Sequence, residues 1–422
     1  MQSKITFIKA REILDSRGIP TVETEVFLNS GITVKAISPA GTSTGKYEAF
    51  ELRDGDLNWY NGQGVKKSVN IINGEIRSAL IGKDACQQEE IDFELCKLDG
   101  TNNKSRLGAN SIVSLSYAIA KAGAQALNIP LYQYLAGDKE IKFPLPWLLI
   151  MGGGIHSGGT VDFQEFLIAP RCAKSYRECF YISWKIREYT WKILSDKYNY
   201  GLLFSLGGGL APSLSSNEEA ISILVEAIKK AGYRPGIDIY IYIDVAASNF
   251  FRNGKYLLSS KKSSFSSNGM INYLLTLINK YPISVLEDGL DQDDWEGWKN
   301  LTNKVGGKIE LIGDDLFVTN SSILERGQKE KIANSVLVKV NQIGTISEAL
   351  KTVTVAKKGN YRTVFSARSG ESEDPIISHL SIGFGVDGAK FGGLMGAEST
   401  CVLNELIRIE EKTKGHVNYS WK

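Results

Sequence analysis

The chain has 422 residues, enough for a small domain and a barrel-sized one, and 43% of them are apolar. Its 49 basic residues nearly balance its 47 acidic ones, so a net charge of +2 gives no reason to expect a nucleic acid or an anionic membrane as partner. Charges that serve a function must therefore be gathered locally, in one site.

The cysteines and the N-terminal segment bear on the cellular compartment. Five cysteines are scattered along the chain without a CxxC pair, which is typical of reduced, buried thiols in a cytosolic protein. The first residues contain no apolar stretch suited to a signal peptide. No apolar run reaches the length of about 18 residues that predicts a membrane span. We therefore expect a cytoplasmic protein.

The first 130 or so residues are predicted to contain strands followed by helices. Short β-prone runs, separated by glycine and proline, cover residues 5–13, 21–28 and 32–37. Helical patterns follow at residues 65–80, 87–98 and 110–127. This order predicts an α+β domain over residues 1–130. Three prolines within residues 128–146 mark the boundary to a second domain, predicted over residues 140–422.

In the second domain the pattern changes to strands that alternate with helices. The strands are short and rich in β-branched residues, and they are predicted over residues 237–244, 283–288, 309–314, 335–340 and 361–367. Repeated βα units of this length predict either a parallel barrel or a doubly wound sheet. The serine-rich stretch 259–267 is predicted to be a surface loop.

Several of these strands end in acidic residues that are costly to bury without a task. Asp244 closes one strand, Glu287 and Asp288 close the next, and Asp314 and Asp315 close a third. In a barrel of parallel strands the carboxyl ends all open on one face, and that face carries the active site. Carboxylates that meet there repel one another, so a divalent cation is the expected occupant, and all-oxygen ligands favour Mg²⁺ over zinc. The alternative is a set of solvated loop acids on unrelated edges.

Two lysines are candidates for chemistry. Lys339 lies within an otherwise apolar predicted strand. On an edge strand it would be an ordinary surface charge, whereas in a barrel strand it would point toward the mouth. A desolvated lysine near a metal cluster can have its pKa lowered toward neutrality and serve as a base. Lys390, in the sequence GAKFGG, is better suited to holding an anionic substrate.

Long motifs along the chain resemble those of the enolase family in order and spacing. They are AREILDSRG, STGKYEAFELRDGD, LDGTNNKSRLGANSI, QEFLIAP, AASNFF, LEDGLDQDDWEGW, GDDLFVTN, KVNQIGT and RSGESED. The resemblance covers essentially the whole chain and implies an α/β fold, in which an N-terminal α+β domain precedes an eight-stranded, TIM-like α/β barrel. It also implies two Mg²⁺ ions, a homodimer, and the reversible dehydration of 2-phosphoglycerate to phosphoenolpyruvate.

The resemblance assigns roles to individual residues. Asp244, Glu287 and Asp314 match the ligands of a structural Mg²⁺, and Ser43, in the lid loop AGTSTG, matches a position that contributes to the second Mg²⁺. Lys339 matches the base that removes the proton α to the substrate carboxylate. The remaining matches are the substrate-binding Lys390, the phosphate contacts Arg368 and Ser369, and the flexible-loop and acid-side residues His156, Gln164 and Glu165.

The chain departs from the family pattern on one side of the site. Where the family has GDEGGFAP this chain has SLGGGLAP, so Gly207 stands at the general-acid glutamate and Leu206 at its aspartate neighbour. Ala367, in SARSGE, replaces a histidine. Gly152 replaces an asparagine and Gly289 a proline, and the segment after Lys390 reads MGAES instead of ARSER.

These losses leave three hypotheses about function. The first is an enolase-like lyase whose action on 2-phosphoglycerate is impaired, because a positioned acid typically contributes about 10²–10⁴-fold. The second is an enzyme of specialised metabolism that acts on a related phospho or phosphono acid, in the manner of a carboxyphosphonoenolpyruvate synthase. The third is an inactive enolase fold used for binding. The retained lysine base and carboxylates favour an enzyme.

Overall fold

The computed structural model describes residues 2–158, 161–198, 201, 203–413 and 418–419. The N-terminal part begins with an antiparallel sheet of three consecutive strands, which are β1 (Ile5–Leu14), β2 (Pro20–Leu28) and β3 (Thr33–Ile37). Apolar side chains such as Ile8, Val22 and Val26 are fully buried and belong to the core. These strands agree with the predicted runs.

Helices follow the sheet. They are α1 (Lys66–Ile71), a π-helical turn (Ile72–Ile76), α2 (Arg77–Leu80), α3 (Gln88–Asp99), α4 (Ala109–Ala126) and α5 (Leu131–Ala136). α4 packs on β2 and β3 and is buried along almost its whole length. Its many alanines and serines favour close approach of neighbouring elements, and alanine is the strongest helix former. The prediction of an α+β domain is thereby confirmed.

The C-terminal part contains alternating strands and helices. In chain order they are β4 (Lys142–Phe143), β5 (Leu145–Gly152), β6 (Glu165–Pro170), α6 (Tyr176–Tyr198), α7 (Asn217–Lys230), β7 (Ile239–Asp244), β8 (Phe251–Arg252), β9 (Lys255–Leu258), β10 (Ser263–Phe265), α8 (Ser267–Lys280), β11 (Ile283–Glu287), α9 (Trp295–Val305), β12 (Glu310–Gly313), α10 (Ser321–Glu330), β13 (Ser335–Val338), α11 (Val340–Ile343), α12 (Ile346–Lys358), β14 (Arg362–Ser366), α13 (Ile376–Gly383), β15 (Gly388–Lys390), α14 (Ala397–Lys412) and β16 (Asn418–Tyr419).

Eight of these strands close into a barrel, which confirms the barrel over the doubly wound sheet. The order around the barrel is β5, β6, β7, β11, β12, β13, β14 and β15. The expectation that all strands run parallel is wrong for β6, which is antiparallel to both β5 and β7. The reason is the connection from β5 to β6, whose described residues include no crossover helix of the kind that joins parallel strands.

Three further expectations need correction. The strand before Lys339 ends at Val338, so Lys339 follows the strand at the barrel mouth and does not lie within it. The stretch 259–267 is not all loop, because β10 pairs with β9. All five cysteines are thiols outside any disulfide, as predicted, but only Cys179 is buried and Cys172 is exposed. Among the described residues, no helix combines the length and apolar composition needed to cross a bilayer.

Candidate active site

Three acidic side chains form one row across adjacent strands at the mouth of the barrel. Glu165 in β6 pairs with Asp244 in β7, and Asp244 pairs with Glu287 in β11. Because β6 runs against its neighbours, its first residue lies at the same end of the barrel as the last residues of β7 and β11. The reversed strand therefore brings Glu165 to the carboxylates that end the other two strands.

The ammonium group of Lys390, the last residue of β15, lies among these carboxylates. Its Nζ is 2.8 Å from a Glu165 oxygen, 2.7 Å from Glu287 and 3.4 Å from Asp244. Burial lowers the pKa of Lys390, but the three carboxylates outweigh this effect and raise the pKa well above its usual value. Tyr242 also donates its hydroxyl hydrogen to Glu287 from inside the barrel.

The row carries more negative charge than Lys390 compensates. Burial, followed by the charge of Glu287, raises the pKa of Asp244 well above its ordinary value, and burial also raises the pKa of Glu287. Burial would likewise raise the pKa of Glu165, but Lys390 and then His156 outweigh it and lower that pKa. The two raised values indicate that further positive charge would be stabilising here.

Asp314, which follows β12, pairs with Lys339. The Lys339 ammonium donates to one Asp314 oxygen, and the Gln342 side-chain amide donates to the other at 2.8 Å. Burial lowers the pKa of Lys339, but the charge of Asp314 outweighs it, so the pKa is raised. The expected lowering toward neutrality is therefore not found with this ion pair in place, because the lysine faces an uncompensated carboxylate.

Asp314 also belongs to a second group of carboxylates. One oxygen from each of Asp288, Asp314 and Asp315 lies within 4.8 Å of the other two. Asp288 has a φ of 42° and accepts the backbone amides of Asp314 and Asp315 at 2.9 and 2.8 Å. Burial and the charge of Asp314 raise the pKa of Asp315 to about 7. Like-charged groups held this close favour binding of a cation.

The donor atoms around this mouth suit Mg²⁺. The predicted ligands Asp244, Glu287 and Asp314 are buried and offer only carboxylate oxygens, and the charge of Asp314 raises the pKa of the other two. Hard oxygen donors of this kind are the ligands that Mg²⁺ prefers. Asp288 and Asp315 extend the set beyond the predicted ligands. Lys390, Lys339 and Arg368 supply positive charge beside these carboxylates.

The loop after β3 reaches across the barrel mouth to the segment after β14. Arg368 donates to the Ser43 carbonyl at 3.1 Å, and its Nη1 lies 3.0 Å from a Glu48 oxygen. The Ser369 hydroxyl accepts a backbone amide of the same loop at 2.8 Å. A Cβ on Gly41 would come within 1.7 Å of the Arg368 guanidinium, so this approach requires glycine. Ser43 from one motif is thus a neighbour of Arg368 and Ser369 from another.

A cavity lies at this mouth of the barrel. Gly207, where the resemblance places the general acid, lines this cavity together with Leu206 and Ala367. Gly207 has a φ of +79°, and of the residues that the structure describes, a Cβ added there would meet only Leu149, at 3.6 Å. The position therefore has room for a side chain, but its backbone conformation favours glycine.

The flexible-loop residues lie beside this position. Gln164 donates its side-chain amide to Asp244 at 3.2 Å. The His156 Nδ1 lies 3.6 Å from a Glu165 oxygen, beyond hydrogen-bond distance. Of all the predicted site residues, only Glu287 and Asp314 do not line the cavity. Glu287 accepts a hydrogen bond from Lys390 and Asp314 accepts one from Lys339, and both lysines do line it.

Sequence reasoning missed two residues that connect the site. The Gln342 amide that donates to Asp314 also donates to Glu48 at 3.2 Å, and the Gln342 carbonyl accepts the Ala49 amide at 2.7 Å. Glu48 in turn pairs with Arg368. Both residues lie within motifs that carry the family resemblance, but no spacing rule shows that residues nearly 300 positions apart in sequence are in contact.

Comparison with known protein families covers both parts of the chain. The family described as the enolase N-terminal domain matches residues 5–135, and the family described as the enolase C-terminal TIM barrel domain matches residues 140–422. Together these matches span nearly all of the sequence, in the order of the sheet-and-helix part and the closed barrel. The chain therefore belongs to the enolase family.

Proposed function

We propose that this chain is a Mg²⁺-dependent lyase that removes the proton α to the carboxylate of 2-phosphoglycerate, while dehydration to phosphoenolpyruvate is impaired or redirected. The main support is that Lys339 and Lys390 lie beside buried carboxylates at one cavity. Gly207 lines the same cavity at the position where the resemblance expects an acid. Family membership supports an enolase-like lyase in general.

In this proposal Asp244, Glu287 and Asp314 hold Mg²⁺, and Ser43 contributes to a second ion. When bound, Mg²⁺ would neutralise these carboxylates, favour the neutral amine of Lys339 and offset negative charge on the substrate. The role of Lys339 requires this change, since an ammonium group paired with Asp314 cannot accept a proton.

The other residues bind and orient the substrate. Arg368 is fixed by Glu48 and, with Ser369, offers contacts to a phosphate. Lys390 binds an anionic group next to the carboxylate row. Lys339, once neutral, accepts the C2 proton. The departing C3 hydroxide then meets Gly207 and Ala367, neither of which can donate a side-chain proton. Dehydration therefore loses a factor of about 10²–10⁴.

A related phosphorylated or phosphono acid is a second candidate substrate, favoured by the space at Gly207. Among the described residues outside its immediate chain neighbours, only Leu149 has an atom within 4 Å of a Cβ placed there. An acid with a different group at C3, as in a carboxyphosphonoenolpyruvate synthase-like reaction, would fill this space. A non-catalytic binding protein is less well supported, because burying two lysines with several carboxylates is costly without a task.

Incubation of 2-phosphoglycerate with the purified protein and Mg²⁺ in deuterated water tests the proposal. We expect deuterium to enter at C2, measured by mass spectrometry, faster than phosphoenolpyruvate accumulates. The exchange should require Mg²⁺ and disappear in Lys339→Met, since the methionine fills the same space without a basic nitrogen.

Each other result has a distinct meaning. Equal rates of exchange and dehydration would contradict the proposal that dehydration is impaired relative to proton removal at C2. Exchange that occurs with a phosphono acid but not with 2-phosphoglycerate would favour the second candidate. Calorimetric Mg²⁺ binding that is lost in Asp314→Ala, without exchange on any acid tested, would favour a binding protein.

A further inference from the structure

The imidazole of His156 is buried at the active-site cavity without a hydrogen-bond partner among the described residues. His156 is 9% exposed, and neither Nδ1 nor Nε2 has a hydrogen-bond partner in the described part of the chain. A buried polar group left unpaired costs about 1–3 kcal/mol. Such a group in a native structure calls for an explanation, and a catalytic role is one of the few available.

His156 lies next to the segment that has lost the acid. Its carbonyl accepts the Leu206 amide at 3.1 Å, and Gly207 is the next residue. His156, Gly207 and Ala367 line one cavity together with Lys339. A side chain able to carry a proton is thus held beside the position where the family acid is missing.

One carboxylate faces the imidazole. A Glu165 oxygen lies 3.6 Å from Nδ1, too far for a hydrogen bond, so that nitrogen faces the carboxylate without being bonded to it. The other Glu165 oxygen is engaged by Lys390 at 2.8 Å. In this arrangement Nε2 is the nitrogen left to contact a substrate.

We propose that His156 protonates the departing hydroxide in place of the acid missing at Gly207, an inference that rests on the proposed function. Lys339 accepts the C2 proton, the C–H electron pair forms the C2=C3 double bond, and the C3–O bond breaks. The oxygen takes a proton from the His156 imidazolium and leaves as water. Solvent then returns a proton to His156 and takes one from Lys339, so atoms and charge balance.

Two histidine variants and a matched control test this role. In His156→Gln, product formation should fall about 10²-fold, as expected for loss of a general acid, while C2 exchange continues. In His156→Ala, free imidazole should restore part of the product formation. His379→Gln should change neither rate, because His379 lies in α13, pairs with Glu405 and does not line the cavity.

The measurement separates this inference from the proposed function. Absence of C2 exchange in the wild-type protein would overturn the proposed function and this inference with it. With exchange present, three results would overturn the inference alone. The first is an unchanged ratio of product to exchange in folded His156→Gln and His156→Ala. The second is a wild-type protein that forms no product, and the third is a loss of product in Glu165→Gln but not in the His156 variants. Should His156→Gln fail to fold, His156→Ala and its imidazole rescue decide the question.

Discussion

At the scale of single residues, the predicted loss of the family acid involves more than one side chain. Gly207 and Gly208 both have positive φ, and a Cβ on Gly208 would lie only 2.4 Å from the Met395 carbonyl oxygen. The Gly393 amide donates to the Gly207 carbonyl at 2.6 Å. The glycine-rich segment therefore packs against the MGAES segment, and both depart from the family pattern where they meet.

Restoring the acid directly tests whether the missing side chain at Gly207 limits dehydration. Gly207→Glu, combined with Leu206→Asp and Ala367→His, should raise the ratio of dehydration to C2 exchange, because it returns a proton donor worth about 10²–10⁴-fold. It should also lower the free energy of unfolding by about 1–2 kcal/mol, since a non-glycine residue is strained at a φ of +79°. The two quantities are measured by deuterium incorporation and denaturant unfolding.

Gly207→Ala serves as the control for this substitution. It carries the same backbone strain without a carboxyl group, so its stability should fall by a similar amount while its ratio of dehydration to exchange stays at the wild-type value. If the triple variant also leaves the ratio unchanged, the MGAES segment has altered the site further, and the phosphono-acid hypothesis gains support.

At the scale of elements, the loop after β3 is joined to the barrel on two sides. On the inner side, Glu48 accepts from the Gly45 amide at 3.0 Å and pairs with the buried Arg368. On the outer side, Lys46 and Tyr47 contact Asp293 at 3.0 and 2.7 Å. The Glu48 and Arg368 side chains are 8% and 3% exposed, whereas those of Asp293 and Lys46 are 48% and 59% exposed.

This difference in burial predicts unequal roles for the two sides. Glu48→Ala should destabilise the protein by about 3–5 kcal/mol, because it leaves the buried Arg368 cation without its partner. It should also speed trypsin cleavage after Lys46, since the loop loses its inner contact. Both effects are measured on the purified protein, by denaturant unfolding and by limited proteolysis.

Asp293→Asn is the matched control on the outer side. Exposed ion pairs contribute about 0–1 kcal/mol, so this variant should unfold and be cleaved nearly as the wild type is. Comparable loop release in both variants would contradict the assignment of the inner contact as the one that fixes the loop.

At the scale of the whole molecule, the junction between the barrel and the N-terminal part contains a buried acid that should make stability depend on pH. Glu371 is 8% exposed and accepts the Arg368 amide at 2.8 Å. Burial raises its pKa to about 8, although the hydrogen bond from that amide opposes the rise and the Asp374 charge adds to it. The folded protein therefore binds this proton more tightly than the unfolded chain does.

The sign of the effect follows from that difference. From the ordinary pKa of 4.5 up to about 8, the unfolded chain has released the proton and the folded protein still holds it. The contribution of Glu371 to the free energy of unfolding therefore falls as pH rises through this window, by at most about 1.4 kcal/mol per pH unit. Glu371→Gln removes this dependence, so its stability relative to wild type should increase toward about pH 8.

Denaturant unfolding across this window measures the prediction. Glu373→Gln is the control, because Glu373 is exposed two residues away and should not alter the pH profile of the difference. A constant stability difference between Glu371→Gln and wild type would show that Glu371 ionises in the folded protein as it does in the unfolded chain.

Local sequence patterns were sufficient to predict the strands and the acids that end them. β7 and β11 could be predicted because β-branched runs and their boundaries are local properties, and Asp244 and Glu287 follow directly from those boundaries. The motifs also identified the enolase family and its barrel. The division into residues 1–130 and 140–422, the homodimer and the roles of the individual site residues stay predictions.

How these groups meet depends on the tertiary fold. The reversal of β6 places Glu165 beside Asp244, and barrel closure brings Lys390 between Glu165 and Glu287, more than 100 residues away in sequence from either. The ion pair of Lys339 with Asp314 likewise reverses the expected direction of the lysine's pKa shift. Local patterns specify which residues are buried, whereas the charge that a buried residue faces depends on strand direction and barrel closure, and these bring together groups that sequence spacing does not relate.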